Sequence, residues 1–251
     1  MEEEFPFVTT LLSILLIAAF LFTTNITERI FNPEAKSPLE YYENLLGFVP
    51  ARPKIYSLLT YTLIHVDIFH LFGNLIILVI VGLALEKHIG KIPFLAIYIS
   101  SGCIAATFDI INRLLLRISM EAPFVGASGS IFGLVAMASL TRPMEKVPTF
   151  LILLTFLPLL QILIAIPLAI FTEQASRVAL LFFVPFFAFA LLFLPGRLPM
   201  LFASILFIIS WIIFLVLNLT PASHIGHLGG FLGGLIGMFL FPKEKILNFY
   251  S

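Results

Sequence analysis

Long apolar runs separated by short polar breaks organise this chain. The runs lie near 8–24, 69–86, 93–115, 127–140, 148–171, 177–195, 199–218 and 224–241. A bilayer core needs about 20 apolar residues of helix, whereas a membrane barrel would show short alternating strands. The pattern therefore predicts an all-α, polytopic transmembrane bundle of about eight spans. The breaks Gly90-Lys91, Arg142 to Lys146, Thr172-Glu173-Gln174 and Pro195-Gly196-Arg197 combine charge or polarity with helix breakers, as short interhelical turns do. Pro148, Pro158, Pro167 and Pro185 fall in two of the runs, where neighbouring helices can satisfy the freed carbonyls. Residues 25–54 form the one sizeable polar stretch and are expected to be the first extramembrane loop. The start Met1-Glu2-Glu3-Glu4 is acidic, the wrong sign for a secretory leader, so the first run is expected to be a retained helix. No linker or low-complexity tract interrupts the chain, and a single domain over 1–251 is expected.

Composition agrees with the pattern and narrows the function. Of 251 residues, 60% are hydrophobic, 11% are charged and 28 are Phe, with a mean hydropathy of +1.11. Those proportions exclude a water-soluble globule and a disordered chain. Fourteen basic and fourteen acidic residues cancel, so no basic surface for nucleic acid is expected. The single Cys103 lies in an apolar run and can form neither an internal disulfide nor a multi-cysteine metal site.

Polar groups at membrane depth carry the information, because each costs several kcal/mol unless paired or functional. Three clusters stand out, each at the entrance of a span. The first runs from His65 through His70 to Asn74 and on to Gly82 and Glu86. The second is Gly126-Ala127-Ser128-Gly129-Ser130-Ile131-Phe132-Gly133, and the third starts at His224 and His227 and continues through Gly229, Gly230, Gly233 and Gly234. A lone intramembrane Ser or His is ordinarily structural. Their conjunction points elsewhere, since a hydroxyl nucleophile needs a base within reach and its oxyanion needs fixed donors. Ser128, a histidine and the amide of Asn74 supply those roles.

Topology and packing both permit these groups to meet. Consecutive spans alternate direction, so two helix starts share a membrane face only when an odd number of spans separates them. One span separates the His70 helix from the Ser128 helix, and three separate the latter from the last helix. Gly129 with Gly133, and Gly226, Gly230 and Gly234, place small residues four apart, which lets two helix backbones approach.

These residues resemble the rhomboid family of intramembrane serine proteases. The motifs are HxxxxHxxxN with GxxxE at His65, His70, Asn74, Gly82 and Glu86, then GxSG at Gly126, Ser128 and Gly129, then HxxGxxxG at His227, Gly230 and Gly234. The resemblance implies a Ser/His dyad, with Ser128 as nucleophile and His227 as general base and then acid. It also implies His70 and Asn74 as oxyanion donors beside the Ser128 amide, and Phe132 as the aromatic packed on the catalytic imidazole. His224 is the rival base, but only His227 completes the glycine motif. Two departures from the family pattern are visible. Tyr56-Ser57 stands where relatives often carry Trp-Arg, and 99 residues separate Ser128 from His227, room for two spans beyond the usual six-helix core.

The function implied by the resemblance is hydrolysis of peptide bonds in or near transmembrane segments of other membrane proteins. No cofactor and no metal are implied. The expected partners are transmembrane substrates, the lipid bilayer and water in an active-site cavity, with no nucleic acid. An integral multi-pass protein of the cell membrane is expected, its N-terminus cytoplasmic by resemblance because the basic residues divide evenly between the two sides. Other classes are a non-catalytic relative that binds client transmembrane helices, and a transporter using His70, Asn74, Asp109 and His227 as a polar path. A metal site from His65, His70 and His227 is possible by count but lacks a well-placed carboxylate other than Asp67.

Overall fold

Six of the eight apolar runs fall on residues that the computed structural model describes, namely 5–25, 32, 38–117, 119–148, 196–217 and 224–239, and each of the six is a helix. The runs at 148–171 and 177–195 lie, beyond Pro148, outside the described residues. Helix α1 spans Phe7–Thr24, α2 Leu39–Leu46, α3 Ser57–Thr60, α4 Ile68–Ile89, α5 Lys91–Leu116, α6 Ser128–Thr141, α7 Met200–Leu217 and α8 His224–Phe239. A 3-10 turn, Tyr61–Leu63, follows α3. Helices α1, α4 and α5 are each long and apolar enough to cross a membrane, and α6 and α8 are shorter apolar helices. The chain divides into two compact units, Met1–Thr141 with Ile225–Ser251, and Arg142–His224.

In the first unit the helices form one bundle, with α5 against α6, α1 against α4, and α4 against α6. Its core is aliphatic and aromatic: Leu16, Leu78, Leu85, Phe94, Ile97, Ile131 and Leu134 are all buried. Helix α4 starts where Asp67 caps it, the carboxylate accepting from the His70 amide at 2.8 Å, a standard N-cap. It ends at Gly90, whose φ of +89° suits glycine and turns the chain directly into α5. Near the end of α4, the buried Glu86 carboxylate accepts from the Val8 amide at 2.8 Å, the Thr9 amide at 2.7 Å and the Thr9 hydroxyl at 2.8 Å. Those amides are the orphan donors of the first turn of α1, so a negative charge sits at a helix N-terminus.

The described residues of the polar stretch 25–54 include a helix. Leu39–Leu46 is the helix α2, and Tyr56 donates its hydroxyl to the Leu45 carbonyl at 3.0 Å while Thr60 donates to Leu46 at 2.6 Å. Tyr56 and Thr60 thus tie the end of α2 to the segment that leads to α4.

The second unit holds a feature the apolar pattern does not predict. Lys146–Pro148 and Arg197–Pro199 pair as two antiparallel strands, Val147 opposite Leu198, leading directly into α7. An Arg142–Glu145 ion pair and the Met200 amide bonded to the Glu145 carbonyl at 2.7 Å close the turn. The ribbon pairs the residues on either side of 149–195.

Candidate active site

The segment that delivers Ser128 is stitched to the first loop. Phe48 and Phe124 exchange backbone hydrogen bonds at 3.0 and 2.8 Å, the Ala51 amide donates to Met120 at 3.0 Å, and Arg52 pairs with Glu121 at 3.3 Å. Gly126, at a φ of +114°, donates its amide to the Tyr61 carbonyl at 2.9 Å, and Tyr61 in turn donates its hydroxyl to the Gly102 carbonyl at 2.8 Å. Two residues later Ser128 opens α6, half-buried, with the buried Ala127 carbonyl receiving the Ile131 amide. The first amides of a helix have no carbonyl four residues back, so this terminus is rich in donors.

Helix α8 brings His227 to Ser128. The Ser128 Oγ and the His227 Nε2 lie 2.7 Å apart, a hydrogen bond across 99 positions of sequence. With Nε2 unprotonated, the hydroxyl donates to it, the geometry general-base activation requires. The Phe132 ring, one turn along α6, lies 5.1 Å from the His227 ring at an interplanar angle of 49°. That contact holds the imidazole from the side. The close approach rests on glycine: a side chain at Gly230 would collide with the carbonyl of Gly129, and one at Gly234 with the carbonyl of Gly133. Gly129 itself abuts Ala105 of α5, so three helices converge around the hydroxyl.

His70 and Asn74 come from α4. An added Cβ at Gly126 would sit 2.7 Å from Cε1 and 2.8 Å from Nε2 of His70, so the His70 ring lies directly on the backbone that leads to Ser128. Asn74, one turn below, is buried, and its Nδ2 has no hydrogen-bond partner among the described residues. A buried amide donor without an acceptor is costly unless an acceptor arrives in function.

Sequence reasoning brings Ser128, His227, Phe132, His70, Asn74, Gly126, Gly129, Gly230 and Gly234 into one site, and the structure gathers all nine in the first unit. His224 is the first residue of α8, a turn before His227, and the hydroxyl contact belongs to His227. Among the described residues no group of three His, Cys, Asp or Glu could hold a metal ion. Asp109 is paired with Arg113 inside α5, and the Arg113 Nη1 donates to the Ser119 carbonyl at 2.6 Å, so it braces the loop before Ser128. Sequence reasoning missed Tyr61, which holds Gly126; a Tyr in a loop carries no signal of such a role. It also missed Asp67 as the cap that fixes the His70 backbone, although an Asp three residues before His70 is a readable N-cap signal.

A helical membrane bundle with a serine and a histidine hydrogen-bonded at the meeting of three helices defines a narrow class. The family model of the rhomboid domain matches residues 52–182, just over half of the sequence. The chain belongs to the rhomboid family. Rhomboid protein 1, mitochondrial, of Saccharomyces cerevisiae is 29% identical over 86 residues, 34% of this chain and 25% of that protein. Inactive RHOMBOID-like protein 8 of Arabidopsis thaliana is 33% identical over 84 residues, 33% of this chain and 24% of that protein. The aligned part thus covers about a quarter of each of these relatives.

Proposed function

We propose that this protein is an intramembrane serine endopeptidase that cleaves peptide bonds in or near the transmembrane segments of other membrane proteins. The observation that carries the reading is the 2.7 Å contact between the Ser128 hydroxyl and the His227 Nε2. Ser128 attacks the scissile carbonyl while His227 takes its proton. The tetrahedral oxyanion receives hydrogen bonds from Asn74, His70 and the Ser128 amide. His227 then returns the proton to the departing amine, and water admitted to the site hydrolyses the acyl-enzyme by the same exchange.

The depth of the site supports this chemistry. Helix α6 has 14 residues, about 21 Å of rise against a hydrocarbon core of about 30 Å. With the charged Arg142 at its far end, Ser128 at its start is recessed about 10 Å below the opposite surface. That depth suits a transmembrane substrate approached by water from one side. The proposed location is the cell membrane, with the N-terminus cytoplasmic and the site opening outward.

A second reading follows from the name of one relative, an inactive rhomboid-like protein. On that reading the chain binds client transmembrane helices without cutting them. The Ser128–His227 hydrogen bond favours catalysis, since a binding scaffold has no use for an activated hydroxyl. A fluorophosphonate probe on the purified protein separates the two. Labelling of Ser128, located by peptide mass and lost in Ser128→Ala, is expected; an unlabelled Ser128 favours the binding protein, and labelling that survives Ser128→Ala moves the nucleophile elsewhere.

A further inference from the structure

His65 lies outside the catalytic set above, yet it is fully buried in the loop between the Tyr61–Leu63 turn and α4. Its ring meets that of His70 edge to face, centroids 4.9 Å apart and planes at 61°. The Nδ1 reaches the Leu63 carbonyl only at 3.3 Å, and the Nε2 has no hydrogen-bond partner among the described residues. Hydrogen bonds therefore contribute little to holding this imidazole, and ring packing does most of it. The His70 ring also lies against Gly126, with its Cε1 and Nε2 atoms nearest. Both contacts are rooted in one short segment, because the Tyr61 carbonyl holds the Gly126 amide four residues before His65.

Asp67 fixes the backbone of His70 but leaves its two side-chain torsions undetermined. The ring contacts with His65 and Gly126 bear on its rotamer. We infer that His65 is the positioning residue of His70, its ring wedging the His70 imidazole against Gly126 so that a ring nitrogen is aimed at the oxyanion position before substrate arrives. Donors stabilise a transition state in proportion to how well they are oriented in advance, and a misplacement of about 1 Å can cost about a hundredfold in rate. Burial lowers the pKa of His65 to about 3, with the neighbouring His70 adding to the effect, so the wedge stays neutral at working pH and leaves His70 unrepelled.

This inference rests on the protease reading, and the test keeps the two apart. The second-order rate of fluorophosphonate labelling is measured for the full chain in detergent, with Ser128→Ala as the control. His65→Leu, which fills the space without a flat ring, is expected to slow labelling about tenfold. His65→Phe, which restores the ring without its nitrogens, is expected within about threefold of the parent. In a His70→Ala background, His65→Leu is expected to cause no additional loss, whereas a merely structural role would subtract the same factor again. Parental labelling by His65→Leu, failure of His65→Phe to recover, or a full further loss in the His70→Ala background each overturns the role. Labelling that persists in Ser128→Ala overturns the protease reading itself, and the role of His65 with it.

Discussion

Gly230 rests on the carbonyl of Gly129, so close that the hydrogen in place of a side chain is what permits the contact. The Ser128–His227 distance depends on it. Three residues toward the N-terminus on α8 is His227, and one residue back on α6 is Ser128, so any separation of the two backbones is passed to the Oγ–Nε2 contact. Gly230→Ala is expected to destabilise the protein by about 1–3 kcal/mol, as overpacking does, and to slow cleavage. Gly73→Ala is the control, because a Cβ built there meets nothing within 4 Å. Thermal unfolding in detergent distinguishes them: a loss for Gly230→Ala and little change for Gly73→Ala.

Glu86 caps a helix that lies 78 positions away in sequence. Its carboxylate accepts three hydrogen bonds from Val8 and Thr9, so Glu86→Ala leaves two amides and a hydroxyl unmet in a buried place. Loss of such a network costs about 2–3 kcal/mol, and Glu86→Gln, which keeps one acceptor oxygen, is expected to lose less. Unfolding midpoints in detergent rank the parent above Glu86→Gln and Glu86→Gln above Glu86→Ala.

Asn74 should separate stability from activity. Its Nδ2 is buried without a partner among the described residues, so Asn74→Ala removes an unmet donor and is expected to leave the unfolding midpoint unchanged or higher. Turnover is expected to fall about 10²–10³-fold, the usual cost of removing one oxyanion donor. Unchanged turnover would remove Asn74 from the site.

Acid should weaken the fold through His65. Its folded pKa lies at about 3, below the usual 6.5, because burial disfavours the charged ring and His70 beside it adds repulsion. Above pH 6.5 the ring is neutral in both states and nothing is lost. As pH falls from 6.5 toward 3 the unfolded chain takes up a proton that the fold refuses, so stability declines. By about pH 4.5 the loss from this group is on the order of 2–3 kcal/mol. Unfolding midpoints of the parent and His65→Phe across about pH 4–7 test it: the parent is expected to lose more on acidification, and parallel curves would contradict the assignment.

Most of the fold and the site is legible in the sequence because the membrane leaves few polar groups at depth. The helix entrances at His70, Ser128 and His227 stand out against hydrocarbon, and Ser128 and His227 meet in the fold. What the sequence does not reveal depends on distant partners. Glu86 is visible as a motif residue, but its pairing with Val8 and Thr9 is set by tertiary packing. Tyr61 reads as an ordinary loop aromatic, although its carbonyl holds Gly126. The Lys146–Pro148 and Arg197–Pro199 strands are too short to show alternation, each containing a Pro, and only their mutual pairing makes them strands. Helix α2 is hidden for a different reason: Leu39-Glu40-Tyr41-Tyr42-Glu43-Asn44-Leu45-Leu46 is amphipathic, and its polar half masks it within a hydrophilic stretch.

The most direct measurement reconstitutes the protein in liposomes with a labelled single-span membrane protein and follows the cleavage products of the parent, Ser128→Ala and His227→Ala. The parent is expected to cut within or beside the transmembrane segment, and each variant to lose on the order of 10³-fold or more, as removal of either member of a catalytic pair does. Cleavage by both variants at the parental rate would contradict the account.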